Sequence, residues 1–386
     1  MTPDKITVAD AVNAYTKFGS HTLAAKALGV HRSTVSRKLK MNVESEYHPA
    51  PEGFYVKGVS TLYNAEGQVS AQWVKTNVEQ ESREKAIIEA LKLELSDIPP
   101  TPFVPEEPVN LPLSYLTAYP IGDAHFGMYS WGEETGEDFD LKIASDDLLA
   151  AAYRLFLSSP KTQDALIINV GDFFHADDGT ARTPQHGNKL DVDSRHFKVL
   201  RAGIRVFVKM IDWAMARHRN VYVVTVPGNH DPHSSMALSL ALEQRYAHVD
   251  RVHIVGHPRP FYYHEFGKNL IGVTHGDTVK PERLMELMAT HQSEAWGRTE
   301  YRHWITGHVH HKRVFESPGG IVESFRTLAA KDAWHHMSGY NSGRDMCSIV
   351  YHKDHGEFER HRIGISLLRD KNGRSISSGP LEPLRG

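Results

Sequence analysis

Five apolar runs between residues 115 and 306 each end in a polar loop, and this succession restricts the fold more than any other feature. Tyr115 to Ile121 leads into Gly122-Asp123-Ala124-His125, and Ala165 to Val170 leads into Gly171-Asp172-Phe173-Phe174-His175. Val221 to Val226 and Pro227 precede Gly228-Asn229-His230-Asp231. Leu270 to Thr274 precedes His275-Gly276-Asp277, and Trp304 to Thr306 precedes Gly307-His308-Val309-His310. Short apolar runs bounded by turn residues read as buried strands. Helical segments near 145–158, 194–218 and 234–247 separate the early ones. The alternation predicts an α/β domain with its chemistry gathered at strand ends. One such loop alone has the letters of a helix cap or a surface histidine. Five in succession do not.

The residue types in these loops suggest metal chemistry. Asp123, Asp172, Asn229, His125, His275, His308 and His310 make a mixed set of oxygen and imidazole donors. Such a set suits manganese, iron or zinc and is poor for calcium or a thiolate zinc site. Glycine before Asp123, Asp172, Asn229 and His308 lets the backbone turn tightly beside ions. Two ions about 3.5–4 Å apart can clamp a phosphate and hold a hydroxide for in-line attack. His230 is not needed as a ligand. It is free to protonate a leaving oxygen, with Asp231 to orient it.

Residues 1–42 read as a separate basic module. Thr7 caps a helix from Val8 to Phe18, Thr22 to Leu28 forms a second, and a third opens at Arg32 or Ser33 and runs to about Lys40. Leu23, Ala24, Leu28, Val30, Val35 and Leu39 supply the core pattern, with Ala25 and Gly29 small where helices meet. This is a helix-turn-helix layout. The net charge of the chain is −3, so nucleic-acid binding must use local patches. Residues 1–40 hold such a patch, with seven Lys or Arg against two Asp. A helical oligomerisation module with a solvated basic face is the alternative.

Residues 43–96 read as a hairpin, Phe54 to Tyr63 and Gln68 to Val74 about the turn Asn64-Ala65-Glu66-Gly67, followed by an amphipathic helix from Val78 to Leu95. The hairpin fits a wing carrying Lys57 or Lys75, or plain packing. Six prolines between Pro99 and Pro112 mark 97–114 as a semi-rigid linker, and 115–368 is the catalytic domain. Within it, residues 176–195 form a polar insertion with Arg182, His186, Lys189 and Arg195, read as a solvated loop or a substrate-side loop. Arg302, beside Tyr301 and His303, reads as a structural ion pair or a phosphate contact. His335 and His336 read as surface residues. Residues 313–365 supply strands that close a second sheet, and 369–386 form a tail. Cys347 is the only cysteine, so no internal disulfide can form, and it reads as a buried apolar residue. The start of the chain has no charged-then-apolar export signal and no run has membrane-span length, which predicts a cytoplasmic protein with no membrane partner.

The five loop motifs resemble those of the calcineurin-like metallophosphoesterase superfamily, in the family's order, over residues 116–312. The resemblance implies a two-sheet β-sandwich flanked by helices. It implies Asp123, His125, Asp172 and His310 on a first metal, and Asp172 (bridging), Asn229, His275 and His308 on a second. Manganese is the expected metal, with iron or zinc as alternatives. The resemblance makes His230 the proton donor, held by Asp231. Gly171-Asp172-Phe173-Phe174-His175 is similar to the repair nucleases of the SbcD type, which implies a role for His175 either in catalysis or as a hydrogen-bond partner behind the metal ligands. The run Ala24 to Leu39 resembles the Fis-type helix-turn-helix, which implies His31, Arg32, Ser33, Thr34, Arg37 and Lys38 as DNA contacts. The whole arrangement is similar to phage-encoded exonuclease-like proteins, which would place it in the cytoplasm of a bacterial host.

These features together predict a metal-dependent nuclease that hydrolyses duplex DNA with a metal-bound hydroxide. A protein phosphatase or small-molecule (cyclic-nucleotide) phosphodiesterase is the first alternative. A DNA-binding regulator with a non-catalytic phosphoesterase scaffold is the second. A homodimer is a further expectation from the Fis-type and SbcD resemblances, and an ATPase partner from the SbcD resemblance.

Overall fold

The computed structural model describes residues 6–44, 54–63, 69–78, 104–256, 258–331 and 342–369. The chain divides into two compact units, Met1–Ile87 and Ile88–Gly386. The turn at 64–67, nearly all of the helix expected over 78–95, part of the proline run, His335, His336 and nearly all of the tail lie outside the described residues.

In the first unit, helices α1 (Val8–Phe18), α2 (His21–Leu28) and α3 (Arg32–Glu44) pack around Ala11, Ala14, Ala24, Ala25 and Val35. Thr7 and Asp10 form a reciprocal capping box at the start of α1. Gly19 and Gly29 end α1 and α2 in the left-handed region, where glycine carries no Cβ penalty. Leu23, expected in this core, is 52% exposed; the inward positions of α2 are taken by Ala24 and Ala25. Strands β1 (Phe54–Tyr63) and β2 (Val69–Val78) form an antiparallel pair, the second strand starting and ending later than its apolar pattern indicated.

The second unit is an α/β sandwich of two sheets flanked by helices. Strands β3 (Tyr115–Ile121), β4 (Asp164–Asn169), β5 (Asn220–Thr225) and β6 (Val252–Gly256) run parallel. After α4 (Gly132–Thr135), the helices α5 (Leu141–Ser158), α6 (His196–Met215) and α7 (Pro232–Tyr246) alternate with them. Ala165, Leu166, Ile167 and Ile168 are fully buried, as a parallel strand covered on both faces requires. The second sheet holds β7 (Tyr262–Phe266), β8 (Asn269–Val273), β9 (Tyr301–Thr306), β10 (Arg313–Ser317) and β11 (Gly320–Ser324), in the order β10-β11-β9-β8-β7. Helices α8 (Pro281–His291) and α9 (Ser293–Arg298) precede β9. Trp304 packs with Leu284 and Met288 of α8, and its indole N–H donates to the Leu284 carbonyl at 2.9 Å.

Strands β12 (Asp345–His352) and β13 (Gly356–Gly364) do not join that second sheet, contrary to expectation. They extend the first one, giving β13-β12-β3-β4-β5-β6, because β12 pairs antiparallel with β3. Leu116, Leu166, Ile168 and Val224 from one sheet meet Ile271, Val273 and Ile305 from the other, with Ile349 and Cys347 alongside. Burial pushes the Cys347 thiol up to about 12, so it behaves as a small apolar residue. Among the described residues no helix is long and apolar enough to cross a membrane.

Behind the first sheet the Tyr119 hydroxyl lies 2.9 Å from His218 Nε2, and His218 Nδ1 lies 2.9 Å from Thr162 Oγ1. Burial pushes His218 down from 6.5 to about 3. Between those values the unfolded chain binds a proton that the folded one refuses, so stability falls as pH falls. The expected slope is roughly 1.4 kcal/mol per pH unit at most. Urea melts from pH 7 to pH 4 should show it, and His218→Asn should flatten it; an unchanged slope would remove His218 as the cause.

Candidate metal centre

The loops after β3, β4, β5, β8 and β9 converge, because parallel strands present all their C-terminal ends on one side. Asp123, His125 and His310 place one ligand-type atom each within 4.8 Å of one another, and so do Asp172, His275 and His308. His275 Nε2 lies 3.1 Å from Asp172 Oδ2 and 3.0 Å from Asn229 Oδ1. His310 Nε2 lies 3.7 Å from Asp123 Oδ1. All seven residues singled out as ligands therefore fall in two neighbouring groups. Asp172 sits in the second of them.

The backbone is bent to make this possible. His125, Asp172, His308 and His310 have φ values of 46°, 50°, 68° and 55°, a left-handed conformation that non-glycine residues seldom adopt. Such residues cost of order 1–3 kcal/mol each and cluster at functional sites. A Cβ on Gly228 would lie 2.1 Å from Asp172 Oδ1, and one on Gly307 would lie 2.5 Å from Asp123 Oδ2, so only glycine lets these loops approach. Behind the loops, Gly203 of α6 admits the Phe174 ring, which anchors the Asp172 loop to the helix layer.

Asp123 and Asp172 are buried. Burial pushes Asp123 up to about 7. Burial would raise Asp172 as well, but the His275 imidazole outweighs it and holds that carboxyl below the usual range. Burial would lower His275, and the Asp172 charge overrides this and pushes it up to about 10. His308 is lowered by burial and by His275. His125 Nε2 and His310 Nε2 face each other at 3.1 Å, a contact that only a proton or a metal ion can bridge. Oxygen and imidazole donors without sulfur fit manganese, iron or zinc. Adding Mn²⁺ to the metal-free protein should stabilise it by about 2.7 kcal/mol at a hundredfold excess over Kd, a rise of roughly 5–10 °C in melting temperature. EDTA should reverse the shift and Asp172→Ala should abolish it. A melt that ignores Mn²⁺, Fe²⁺ and Zn²⁺ would show that the donors do not form a metal site.

His230 sits beside this set. Its backbone N–H donates to Asp172 Oδ1 at 2.7 Å, and its Nδ1 lies 2.8 Å from the His175 carbonyl. A carbonyl only accepts, so Nδ1 carries the hydrogen and Nε2 is left to exchange protons. Asp231 does not hold this ring, contrary to expectation. Its Oδ1 accepts from the backbone N–H groups of Asp172 (3.0 Å) and Gly228 (3.1 Å), and its Oδ2 from that of Phe174 (3.0 Å). Burial, then the neighbouring Asp172 charge, pushes Asp231 up to about 6. It is a positioning residue that ties two metal loops together. The His175 ring, 2% exposed, places Nδ1 3.1 Å from His125 Nδ1 and stacks on His230. That is the geometry of a partner behind the ligands. His125, His175 and His230 also form a third close group of imidazole nitrogens, which the sequence alone did not indicate.

Other candidates fall outside this centre. Arg302 forms no ion pair among the described residues: it lies 3.9 Å over the Trp296 ring and donates to the carbonyls of Trp296 and Thr299. Arg182, His186, Lys189 and Arg195 are exposed on the insertion. In the helical unit His31, Arg32, Ser33 and Arg37 are exposed and Lys38 is half-buried. Thr34 is 7% exposed, so its side chain faces the three-helix core and is withdrawn from the set of DNA contacts.

No family model matches the sequence, and no curated protein matches it. The chain is similar to several solved structures. One is a predicted phosphoesterase from Streptococcus pneumoniae TIGR4, at 10% identity over 66% of this chain and 99% of that one, with a TM-score of 0.28. Another is Vacuolar Protein Sorting 29 from Cryptosporidium parvum, at 14% identity over 65% and 96%, with a TM-score of 0.31. A third is an archaeal phosphodiesterase, at 14% identity over 64% and 99%, with a TM-score of 0.33.

Proposed function

We propose that this protein is a metal-dependent phosphodiesterase that acts on DNA. The observation that carries the reading is the convergence of two groups of metal-ligand type, Asp123/His125/His310 and Asp172/His275/His308, beside a histidine whose Nδ1 is committed to a carbonyl. Divalent ions held by these residues would neutralise a phosphate and activate water. The chain's own part is to position them, through Asp231 and the glycine contacts, and to supply a proton from His230 Nε2 to the leaving oxygen. His175 keeps both His125 and His230 in place.

DNA as the substrate is supported by the basic face of α3. Arg32 and Arg37 are exposed there, and phosphate contacts from such cations supply most non-specific affinity for DNA. A homodimer and an ATPase partner are proposed only as accompaniments of this reading.

The test is cleavage of end-labelled duplex and single-stranded DNA with added Mn²⁺, with His230→Ala as the control. Loss of full-length DNA with the native protein alone supports the reading, and Arg37→Ala should weaken binding and reduce the salt slope by about one. Intact DNA together with hydrolysis of a simple aryl phosphodiester would remove DNA as the substrate and leave the phosphodiesterase. Inactivity on both would leave a DNA-binding protein with a phosphoesterase scaffold.

A further inference from the structure

An Asp–His pair stands just outside the candidate metal centre. Asp177 lies two residues beyond His175 and His233 three beyond His230, and the His175 and His230 rings stack on each other. The pair therefore joins the same two loops, after β4 and β5, that carry Asp172 and Asn229. Three trans peptides place the His233 Cα no more than about 11 Å from that of His230. Asp177 is buried, and its Oδ2 lies 2.5 Å from His233 Nδ1. Its Oδ1 accepts from the backbone N–H groups of His233 (3.0 Å) and Ser234 (2.8 Å) in the first turn of α7.

Most polar atoms of this cluster are committed, and one is not. The start of α7 offers no anion site of its own. Pro232 has no N–H, those of His233 and Ser234 are taken by Asp177, and that of Ser235 donates to the Asp231 carbonyl. Ser234 is buried; its hydroxyl donates to the Asp177 carbonyl at 3.0 Å and lies 3.2 Å from His196 Nε2. Burial lowers His196 and so favours its neutral form. Asp178 accepts from the backbone N–H and the hydroxyl of Thr180. The His233 side chain is 54% exposed, and its Nε2 has no partner among the described residues. A carboxylate only accepts, so Nδ1 carries a hydrogen and the opposite edge of the ring is left for a ligand. As an imidazolium this ring holds a second N–H outward in a fixed direction, with the Asp177 carboxylate buried behind it. Such an N–H makes a charge-assisted hydrogen bond to a phosphate oxygen. A helix cap needs only the two backbone bonds. The bond to the ring does something further: it fixes the rotamer of an exposed side chain, which costs conformational entropy.

We propose that His233 grips a substrate phosphate near the scissile one, within about three nucleotides at roughly 3.4 Å of axis per phosphate in one strand. The contact would select polynucleotides over isolated diesters, and it rests on the reading of the protein as a DNA phosphodiesterase. Steady-state hydrolysis of dithymidylate and hexathymidylate by the full chain with Mn²⁺ tests it. KM should be lower for the hexamer. His233→Ala should raise that KM by about tenfold or more and leave kcat unchanged, the mark of a contact held equally in ground and transition states. Both constants for dithymidylate should stay as they were. His233→Arg, which restores a cation, should recover most of the loss. The backbone bonds from α7 to Asp177 do not need the ring, so both variants keep the helix cap. A hexamer with one ordinary phosphodiester among uncharged methylphosphonates should rise to the KM of dithymidylate. That comparison needs no variant, so a variant that fails to fold leaves the test standing. Equal KM values for the two hexamers, or a hexamer KM indifferent to His233→Ala, would overturn the inference and leave the nuclease reading intact. Equal losses on dimer and hexamer would make His233 a structural residue and overturn it as well. Hydrolysis of an aryl diester with neither oligonucleotide cleaved, or no hydrolysis at all, would overturn both.

Discussion

His230→Ala should lower hydrolysis of a dinucleotide, whose leaving group is an alkoxide, by about 10²–10⁴-fold. The same change should cost a nitrophenyl diester far less, because a phenolate of low pKa departs without a proton. The expectation rests on geometry. His230 Nδ1 is 2.8 Å from the His175 carbonyl, so the hydrogen stays on that side and Nε2 is the exchanging atom. The link to the metal loops runs through the His230 backbone N–H to Asp172 Oδ1, which alanine keeps. Metal affinity measured by titration should therefore change little. Equal losses on the two diesters would remove His230 as the proton donor. A large loss of metal affinity would instead make its ring a ligand, in keeping with its closeness to His125 and His175.

The residues that were legible in the sequence share one property: their environment is written locally. Strand β4 is a continuous apolar run because a parallel strand is buried on both faces, and its end is announced by Gly171 and Asp172. The left-handed backbone at His308 and His310 was not legible, yet the residues were, because Gly307 and the His-x-His spacing lie side by side. What stayed hidden depends on partners far along the chain. The pairing of β12 with β3 joins residues more than two hundred positions apart, and nothing in Asp345 to His352 says which sheet edge it meets. Leu23 lies outside the core because a short helix shows its apolar spacing but not which side its neighbours occupy, and Thr34, named as a DNA contact by the resemblance alone, is buried. His175 had two readings of similar merit, and only the direction of its ring toward His125 separates them.

Asp231 shows most clearly how much this distinction matters, and its substitution tests it. Asp231→Asn should lower the stability of the domain by about 3 kcal/mol, a fall of roughly 6–12 °C in melting temperature. The two oxygens of the native carboxylate, fully buried, accept from the backbone N–H groups of Asp172, Gly228 and Phe174. An asparagine must point its NH₂ at one of those donors, so at least one buried N–H loses its acceptor and faces another donor. The same loops carry Asp172 and Asn229, so metal affinity should fall as well, by about 10–100-fold as for other outer partners of metal ligands. If Asp231 instead served to orient His230, Asp231→Asn would leave melting and metal affinity near native and lower only the rate on poor leaving groups. Melting curves recorded with and without Mn²⁺ separate the two outcomes. A native-like melt combined with a slow rate would return Asp231 to the proton-transfer machinery. A lowered melt that Mn²⁺ only partly restores would establish it as the tie between the two loops, with the geometry of the centre depending on backbone N–H groups that the motif letters never display.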